Sequence, residues 1–152
     1  MNQRKSLKEL NLLDKFLFDE AMDDPENVKT MLDIILSQNT NLKHPPQTEK
    51  EQRTSTDNRQ IRLDVYAIDE DDVIYEVEAQ KENTHNLPKR SRLYQGIIDS
   101  KLLPPGVVDF NLLNEVLIVL IMPFDLFGYG LYRYTFQMKC EEVPELKLDD
   151  GA

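Results

Sequence analysis

The chain has 152 residues, of which 40% are apolar and 30% are charged, a composition that is ordinary for a soluble globular domain and argues against global disorder. Its formal net charge of −10 argues against a nonspecific nucleic-acid coat protein, because phosphate binding needs clustered Lys and Arg. The single cysteine, Cys140, excludes an intrachain disulfide framework and favours a cytoplasmic location. We therefore expect one domain with a real hydrophobic core.

The first elements are predicted from apolar spacing and helix start signals. Apolar residues at helical spacing predict a helix over residues 7–22. A second helix is predicted to begin at Pro25, with Asp24 as its N-cap. Residues 39–59 are polar and contain a Pro-Pro pair, which is typical of a long loop, and a short strand inside this loop remains open.

The second half of the chain predicts a sheet with one intervening helix. Two strands, over residues 61–68 and 73–80, flank the acidic turn 69–72 and predict a β-hairpin. A helix is expected over 87–103, a buried strand over 115–122 and a final strand over 131–139. The apolar run in the buried strand is shorter than the ~20 residues of a membrane helix, so we expect no membrane partner. The order predicts an α/β fold with a central mixed sheet flanked by helices.

Polar side chains gather on one face of the predicted hairpin. Because side chains alternate along a strand, Asp64, Glu76, Glu78 and Gln80 share a face, and Asp64 and Glu78 lie roughly across from each other. Opposed like charges destabilise a sheet unless a cation lies between them. Two carboxylates completed by a carbonyl and waters are a usual Mg²⁺ site. A solvated strand face is the alternative interpretation of the same alternation.

Three segments in order resemble a known nuclease family. They are RLDVYAIDEDDVIYEVEAQ at residues 62–80, KRSRLYQGIIDSKLL at 89–103 and FDLFGYGLYRYTFQMKC at 124–140. Together they resemble the PD-(D/E)xK nuclease superfamily, in its transposase-associated branch of recombination-promoting nucleases (Rpn type). The resemblance covers nearly the whole chain and is weakest across residues 39–59. It implies a restriction-endonuclease-like core and a metal-dependent DNA endonuclease, associated with recombination or transposition, that hydrolyses phosphodiester bonds.

The resemblance also assigns roles to individual residues. Asp64 and Glu78 would bind Mg²⁺, for which Mn²⁺ is a substitute, and the carbonyl of Ala79 would complete the site. Gln80 stands where most of the superfamily has a Lys. A Gln lacks that positive charge, so its amide would only orient the attacking water. The first helix would add an acidic ligand, for which Glu20 is the first candidate and Asp14 the second, although a solvated helix carboxylate is the alternative.

The predicted helix over 87–103 lies in a basic part of this acidic chain. Lys and Arg outnumber acidic residues between Lys81 and Lys101. We expect DNA to be the partner, with its backbone contacted by Arg90, Arg92, Tyr94, Gln95 and Lys101. A basic helix that merely offsets the acidic net charge is the alternative interpretation.

Two further expectations concern the chain as a whole. The segment ELKLDDGA at its end resembles the beginning of a longer region in fuller family members, so we expect a domain truncated at the C-terminus. Assembly into a homo-oligomer is left open. A degenerate, catalytically inactive nuclease fold that binds DNA or protein is the alternative function, because Gln80 replaces the superfamily's Lys.

Overall fold

Four strands form one mixed sheet at the centre of the fold. The computed structural model describes residues 11–53 and 60–152. Its elements are α1 (Lys15–Met22), α2 (Pro25–Leu36), β1 (Gln47–Arg53), β2 (Gln60–Ile68), β3 (Ile74–Ala79), α3 (Leu87–Leu102), a 3₁₀ turn (Phe110–Leu112) and β4 (Val116–Ile121). The strand order is β1-β2-β3-β4, with β4 parallel to β3 and the other neighbours antiparallel. The predicted α/β fold with a mixed, helix-flanked sheet is confirmed, and it is compatible with a restriction-endonuclease-like core.

Hydrophobic packing covers both faces of the sheet. One buried cluster joins α1 and α2 to the sheet through Phe18, Met22, Val28, Leu32, Val65, Ala67, Tyr75 and Val77. A second cluster joins α3 to the sheet through Leu63, Tyr66, Ile74, Tyr94, Ile97, Ile98 and Val116. The central strand β3 is therefore buried by α1 and α2 on one side and by α3 on the other. Any polar side chain on β3 leaves water when the protein folds.

The start of α2 agrees with its predicted cap, whereas α1 begins later than predicted. Asp24 caps α2 by accepting a hydrogen bond from the amide of Glu26 at 3.0 Å, as predicted. The prediction of a helix over 7–22 is wrong for residues 11–14, because the side chains of Asn11 and Asp14 bind backbone amides there and form a turn instead. The earlier part of that prediction lies outside the described residues. Among the described helices, none is long and apolar enough to cross a membrane.

The predicted hairpin is present, and an additional strand pairs with it. β2 and β3 are antiparallel from Val65 opposite Val77 to Ile68 opposite Ile74. The stretch predicted as a loop over 39–59 contains the edge strand β1, which realises the short strand that the sequence left open. Glu49 in β1 has a φ of +50° at the position facing Asp64, so the regular pairing is interrupted there. Leu63 packs against α3, whereas Val65 and Ala67 pack against α1 and α2, so strict alternation of side chains along β2 fails between Leu63 and Val65.

The predicted final strand over 131–139 is wrong. Instead, the carboxylate of Asp125 accepts hydrogen bonds from the amides of Phe127, Gly128 and Gly130 and from the hydroxyl of Tyr134. These bonds, above all that from Tyr134, lower the pKa of Asp125 to about 2. They organise a loop around the carboxylate, so the nearby amides serve the side chain rather than a neighbouring strand. Among the described residues after β4, strand-like pairing is limited to a bridge between Lys139 and Lys147.

Candidate active site

Asp64 and Glu78 lie on neighbouring strands at the open end of the β2–β3 hairpin, away from its turn. The register pairs Val65 with Val77, which makes Asp64 and Glu78 the next positions outward. The amide of Ala79 donates to Asp64 Oδ2 at 3.2 Å and ties the two strands together at this point. Both side chains are largely withdrawn from solvent, with 13% of Asp64 and 10% of Glu78 exposed. The backbone thus holds two shielded carboxylates at opposed positions.

A cation from a different helix approaches each of these carboxylates. Lys15 on α1 lies 2.8 Å from Asp64 Oδ1. Burial lowers the pKa of Lys15, but its hydrogen bonds and charge interactions with Asp64 and Asp19 together outweigh burial, so the pKa is raised overall. Arg90 on α3 forms an ion pair with Glu78 Oε1. In this structure the two negative charges are therefore balanced by cations that belong to the chain itself.

Glu78 remains partly unsatisfied despite its ion pair with Arg90. Its Oε2 atom is buried and has no hydrogen-bond partner among the described residues. Burial raises the pKa of Glu78, the charge of Arg90 lowers it and the charge of Asp64 raises it again. Burial, followed by the negative charge of Glu78, raises the pKa of the neighbouring Tyr94 to about 12. Tyr94 also lies close enough to lower the pKa of Glu78 by hydrogen bonding, while Oε2 lacks a partner of normal hydrogen-bond geometry among the described residues.

Glu76 is the group at this site that the family motif did not identify. It is fully buried, and neither carboxyl oxygen has a hydrogen-bond partner within the described part of the chain. Burial raises its pKa well above the ordinary value, the charges of Glu78 and Asp64 raise it further, and Arg90 opposes them. The carboxyl therefore favours its neutral form. The signal in the sequence was its place on the same strand face, two residues before Glu78.

Gln80 is held by two hydrogen bonds of its side-chain amide. Its Oε1 accepts from Arg90 at 2.6 Å, and its Nε2 donates to the carbonyl of Glu82 at 2.7 Å. Each end of the amide thus has a protein partner. The sequence-based role of Gln80, orienting water with this amide, stays a prediction. In the structure, the Gln80 side-chain oxygen contacts the guanidinium of Arg90.

On α1, the structure brings a different carboxylate toward Asp64 than the one that the sequence favoured. Glu20 is exposed on the helix surface. Asp19 is 20% exposed and lies 3.3 Å from Lys15, so it shares that cation with Asp64. Burial raises the pKa of Asp19, Lys15 lowers it, and the negative charge of Asp64 raises it. Asp14, the second candidate, forms an ion pair with Lys81 in the loop after β3.

The predicted DNA-contacting residues on α3 divide between two environments. Arg90 binds Glu78 and Tyr94 is only 8% exposed, so both face the sheet. Gln95 is half-buried and donates to Asp99 at 3.2 Å. Arg92 and Lys101 are exposed. Nine residues on an α-helix correspond to a rotation of about 180°, so these two exposed cations point to opposite sides and do not form one phosphate-binding face.

Asp64 and Glu78 supply hard oxygen donors of the kind that a divalent cation takes, and Glu78 Oε2 has no hydrogen-bond partner among the described residues. Both oxygens of the buried Glu76 are unpaired there too, but its raised pKa favours the neutral carboxyl, so the donor set consists of two carboxylates. Buried carboxylate oxygens without partners are costly, and a cation bound beside them would offset that cost. Within the described residues there is no group of three or more acidic, His or Cys side chains arranged to hold a metal. Mg²⁺ in proteins commonly uses only one or two carboxylates and keeps its waters.

Comparison of the chain with protein-family models, with curated protein sequences and with solved structures finds no match in any of the three. The assignment to the Rpn-type nucleases therefore stays a prediction that depends on the three sequence segments. The geometry of the site is independent of that resemblance. It follows from the hairpin register and from the contacts of Asp64, Glu76, Glu78 and Gln80.

Proposed function

We propose that the chain is a Mg²⁺-dependent DNA endonuclease that hydrolyses phosphodiester bonds in a setting of recombination or transposition. The observation that carries the proposal is the pair of opposed carboxylates, Asp64 and Glu78, one of which keeps a buried oxygen without a partner. The resemblance of residues 62–80, 89–103 and 124–140 to recombination-promoting nucleases supports the same assignment. A cytoplasmic location fits the lone thiol of Cys140.

Asp64 and Glu78, with the carbonyl of Ala79, would hold the ion. Bound there, Mg²⁺ supplies charge neutralisation for the phosphodiester and a lowered pKa for water. Arg90 occupies only Oε1 of Glu78, which leaves Oε2 for the ion. Lys15 has other acidic partners, Asp19 at 3.3 Å and Glu49 at 3.6 Å, and it keeps them if Asp64 turns toward the ion. The two internal cations are therefore compatible with an occupied site.

DNA would approach this acidic protein through local positive charge. Lys89 and Arg92 are exposed three residues apart on one side of α3, the helix that also carries Arg90 into the site. Contacts of this kind depend on salt, since each neutralised phosphate releases counterions. We infer that α3 holds the strand backbone while the hairpin carries the chemistry.

The proposal is tested by plasmid nicking. The purified chain is incubated with supercoiled plasmid in Mg²⁺, in Mn²⁺ and in EDTA, beside the variant Asp64→Ala. We expect conversion to the relaxed form with either metal, none in EDTA, and a loss of at least about 100-fold in Asp64→Ala. Equal nicking by the variant would assign the activity to a contaminant or to another site.

A second function, a catalytically inactive nuclease fold that binds DNA or protein, is favoured by one specific observation. Lys15 and Arg90 already neutralise Asp64 and Glu78 without any added ion. Such a module would retain labelled duplex DNA or a protein partner while leaving plasmid intact in both metals. Metal-independent DNA binding combined with unchanged supercoiled plasmid would therefore favour this second function over the nuclease.

A further inference from the structure

We propose that Arg90 is a catalytic residue that supplies the positive charge missing at Gln80, and that Gln80 is the positioning residue that holds it. In the proposed reaction the guanidinium contacts the scissile phosphate. This inference depends on the proposed nuclease function, and it reassigns Arg90, which the sequence predicted as a contact to the DNA backbone. The juxtaposition that carries it is one guanidinium nitrogen bound to both Glu78 and Gln80.

The guanidinium of Arg90 lies directly beside Gln80. Arg90 Nη2 donates to Gln80 Oε1 at 2.6 Å and also binds Glu78 Oε1. The charge therefore lies at the tip of the side chain that replaces the superfamily's Lys. Gln80 Nε2 is fixed by the carbonyl of Glu82 at 2.7 Å, so the amide presents its oxygen to Arg90. An arginine so held is pre-organised, which lowers the entropic cost of its use in a reaction.

Arg90 also has N–H donors that its contacts with Glu78 and Gln80 do not use. A guanidinium has five N–H donors, and the contacts to Glu78 and Gln80 both come from the single nitrogen Nη2. Its Nε atom is buried without a hydrogen-bond partner among the described residues. A buried donor on a charged group is costly when unpaired, and the other N–H groups of this guanidinium are the donors that a phosphate oxygen would approach. Arg90 thus combines a fixed charge with spare donors beside the carboxylates.

Lys15 is the rival source of positive charge at this site. Its side chain is 47% exposed and is shared among Asp64, Asp19 and Glu49. Only 23% of the Arg90 side chain is exposed. Charge acts more strongly where water is excluded, and Arg90 is also the cation in contact with Gln80. The structure therefore favours Arg90 over Lys15.

In the reaction, water adds across one phosphodiester bond. The water oxygen bonds to phosphorus, the bond from phosphorus to one sugar oxygen breaks, and a proton from the water finishes on that leaving oxygen. Negative charge builds on the non-bridging phosphate oxygens in the transition state. Arg90 would stabilise that charge through its remaining N–H groups, a contribution that appears in kcat more than in KM.

The test compares four variants on a labelled duplex, with Mn²⁺ affinity measured separately by calorimetry. Arg90→Gln removes the positive charge and Arg90→Lys keeps it. The double variant Gln80→Lys/Arg90→Gln moves the charge to position 80, directly after β3. Arg92→Gln is the matched control, an exposed arginine two residues away on α3. We expect Arg90→Gln to lower kcat by about 100-fold, Arg90→Lys to lose less, and the double variant to regain at least about tenfold. Arg92→Gln should change mainly KM.

Mn²⁺ affinity separates a catalytic role from a structural one. Arg90→Gln frees Glu78 from its ion pair, so Mn²⁺ should bind at least as tightly as in the parent protein. A merely structural Arg90 would lose Mn²⁺ affinity and melting temperature together. The inference is overturned by that joint loss, by an unchanged kcat in Arg90→Gln, or by a loss confined to KM, as in the control. If the unmodified chain fails to cleave the duplex, the proposed function fails, and this inference fails with it. Cleavage that survives in Arg90→Gln overturns only the inference.

Discussion

The two ends of the β2–β3 hairpin carry buried carboxylates in opposite states. At the turn, Asp69 accepts hydrogen bonds from the amides of Asp71 and Val73 at 3.0 and 2.9 Å and from the hydroxyl of Tyr75 at 2.6 Å. At the open end, Glu76 has no hydrogen-bond partner among the described residues and Glu78 has one unpaired oxygen. The same hairpin thus holds one carboxylate whose oxygens are hydrogen-bonded and two that keep unpaired oxygens.

This difference separates an acidic residue that stabilises the fold from two whose carboxyl oxygens the fold leaves without hydrogen bonds. Folded proteins pair nearly all of their buried polar groups, so an unpaired one calls for an explanation. Asp69 is explained by the turn that it closes. Glu76 and Glu78 have unpaired oxygens that cost stability, and the proposed cation would offset that cost. Hydrogen-bond satisfaction, rather than residue type, distinguishes the two ends.

The largest effect expected from this comparison is a loss of stability at the turn. Asp69→Ala leaves two amides and the Tyr75 hydroxyl without their acceptor, so the free energy of unfolding should fall by about 3 kcal/mol. Urea denaturation measures the change through its midpoint. Asp71→Ala is the matched control, because Asp71 is exposed in the same turn, and it should change stability by less than about 0.5 kcal/mol. Equal stability of the two variants would show that Asp69 does not stabilise the turn.

A gain of stability is expected at Glu76. Its pKa is raised in the folded state, chiefly by burial. The folded protein therefore binds this proton more tightly than the unfolded chain, and the resulting stability is present at low pH and is lost as pH rises from the ordinary carboxyl value toward the raised one. Near neutral pH in EDTA, Glu76→Gln should be more stable than the parent. It should also remove a slope of up to about 1.4 kcal/mol per pH unit.

Urea denaturation across a pH series checks this prediction at Glu76. Glu70→Gln serves as the control, since Glu70 is an exposed carboxylate in the same hairpin. An identical pH slope in the Glu76→Gln variant and in the parent protein would show that Glu76 is charged and paired in solution. The buried carboxylates at the open end would then be paired like Asp69 at the turn, and the two ends of the hairpin would not differ.

The smallest effect is expected on α1, where Asp19 and Glu20 differ by one position. Asp19 competes with Asp64 for Lys15, so Asp19→Asn should strengthen the pair between Lys15 and Asp64 and weaken Mn²⁺ binding by about three- to tenfold. Glu20→Gln, on the exposed surface, should leave Mn²⁺ affinity unchanged. Calorimetric titration of both variants decides between them. A larger loss in Glu20→Gln would support the sequence-based assignment of Glu20 as a ligand.

Local patterns in the sequence predicted the parts of the fold that are set by local rules. The cap of α2 follows from Asp24 and Pro25, and the hairpin follows from strand alternation around an acidic turn. The opposed positions of Asp64 and Glu78 then follow from counting residues outward from that turn. These features depend on neighbours in sequence, which is why one sequence by itself sufficed to predict them.

Features that depend on distant contacts were missed. The pair between Lys15 and Asp64 joins residues that are 49 positions apart, and no periodicity encodes it. Arg90 could be placed on a basic helix, but its turn inward to Glu78 and Gln80 depends on how α3 packs on the sheet. The segment over 131–139 alternates like a strand, yet Asp125 gathers nearby amides into a loop. These bonds join residues two to nine positions apart, so in this case a nearby side chain, not a distant contact, overrides the alternating pattern.

The measurement that tests the metal site most directly is a Mn²⁺ titration by calorimetry of three proteins, the unmodified chain, Asp64→Asn and Asp69→Asn. Asp64 lies at the open end and Asp69 at the turn of one hairpin, so the two variants remove the same charge from the two regions. We predict saturable binding by the unmodified chain and by Asp69→Asn, with at least a tenfold loss of affinity in Asp64→Asn. Absence of binding by the unmodified chain, or equal affinity in Asp64→Asn, would contradict a metal site between Asp64 and Glu78.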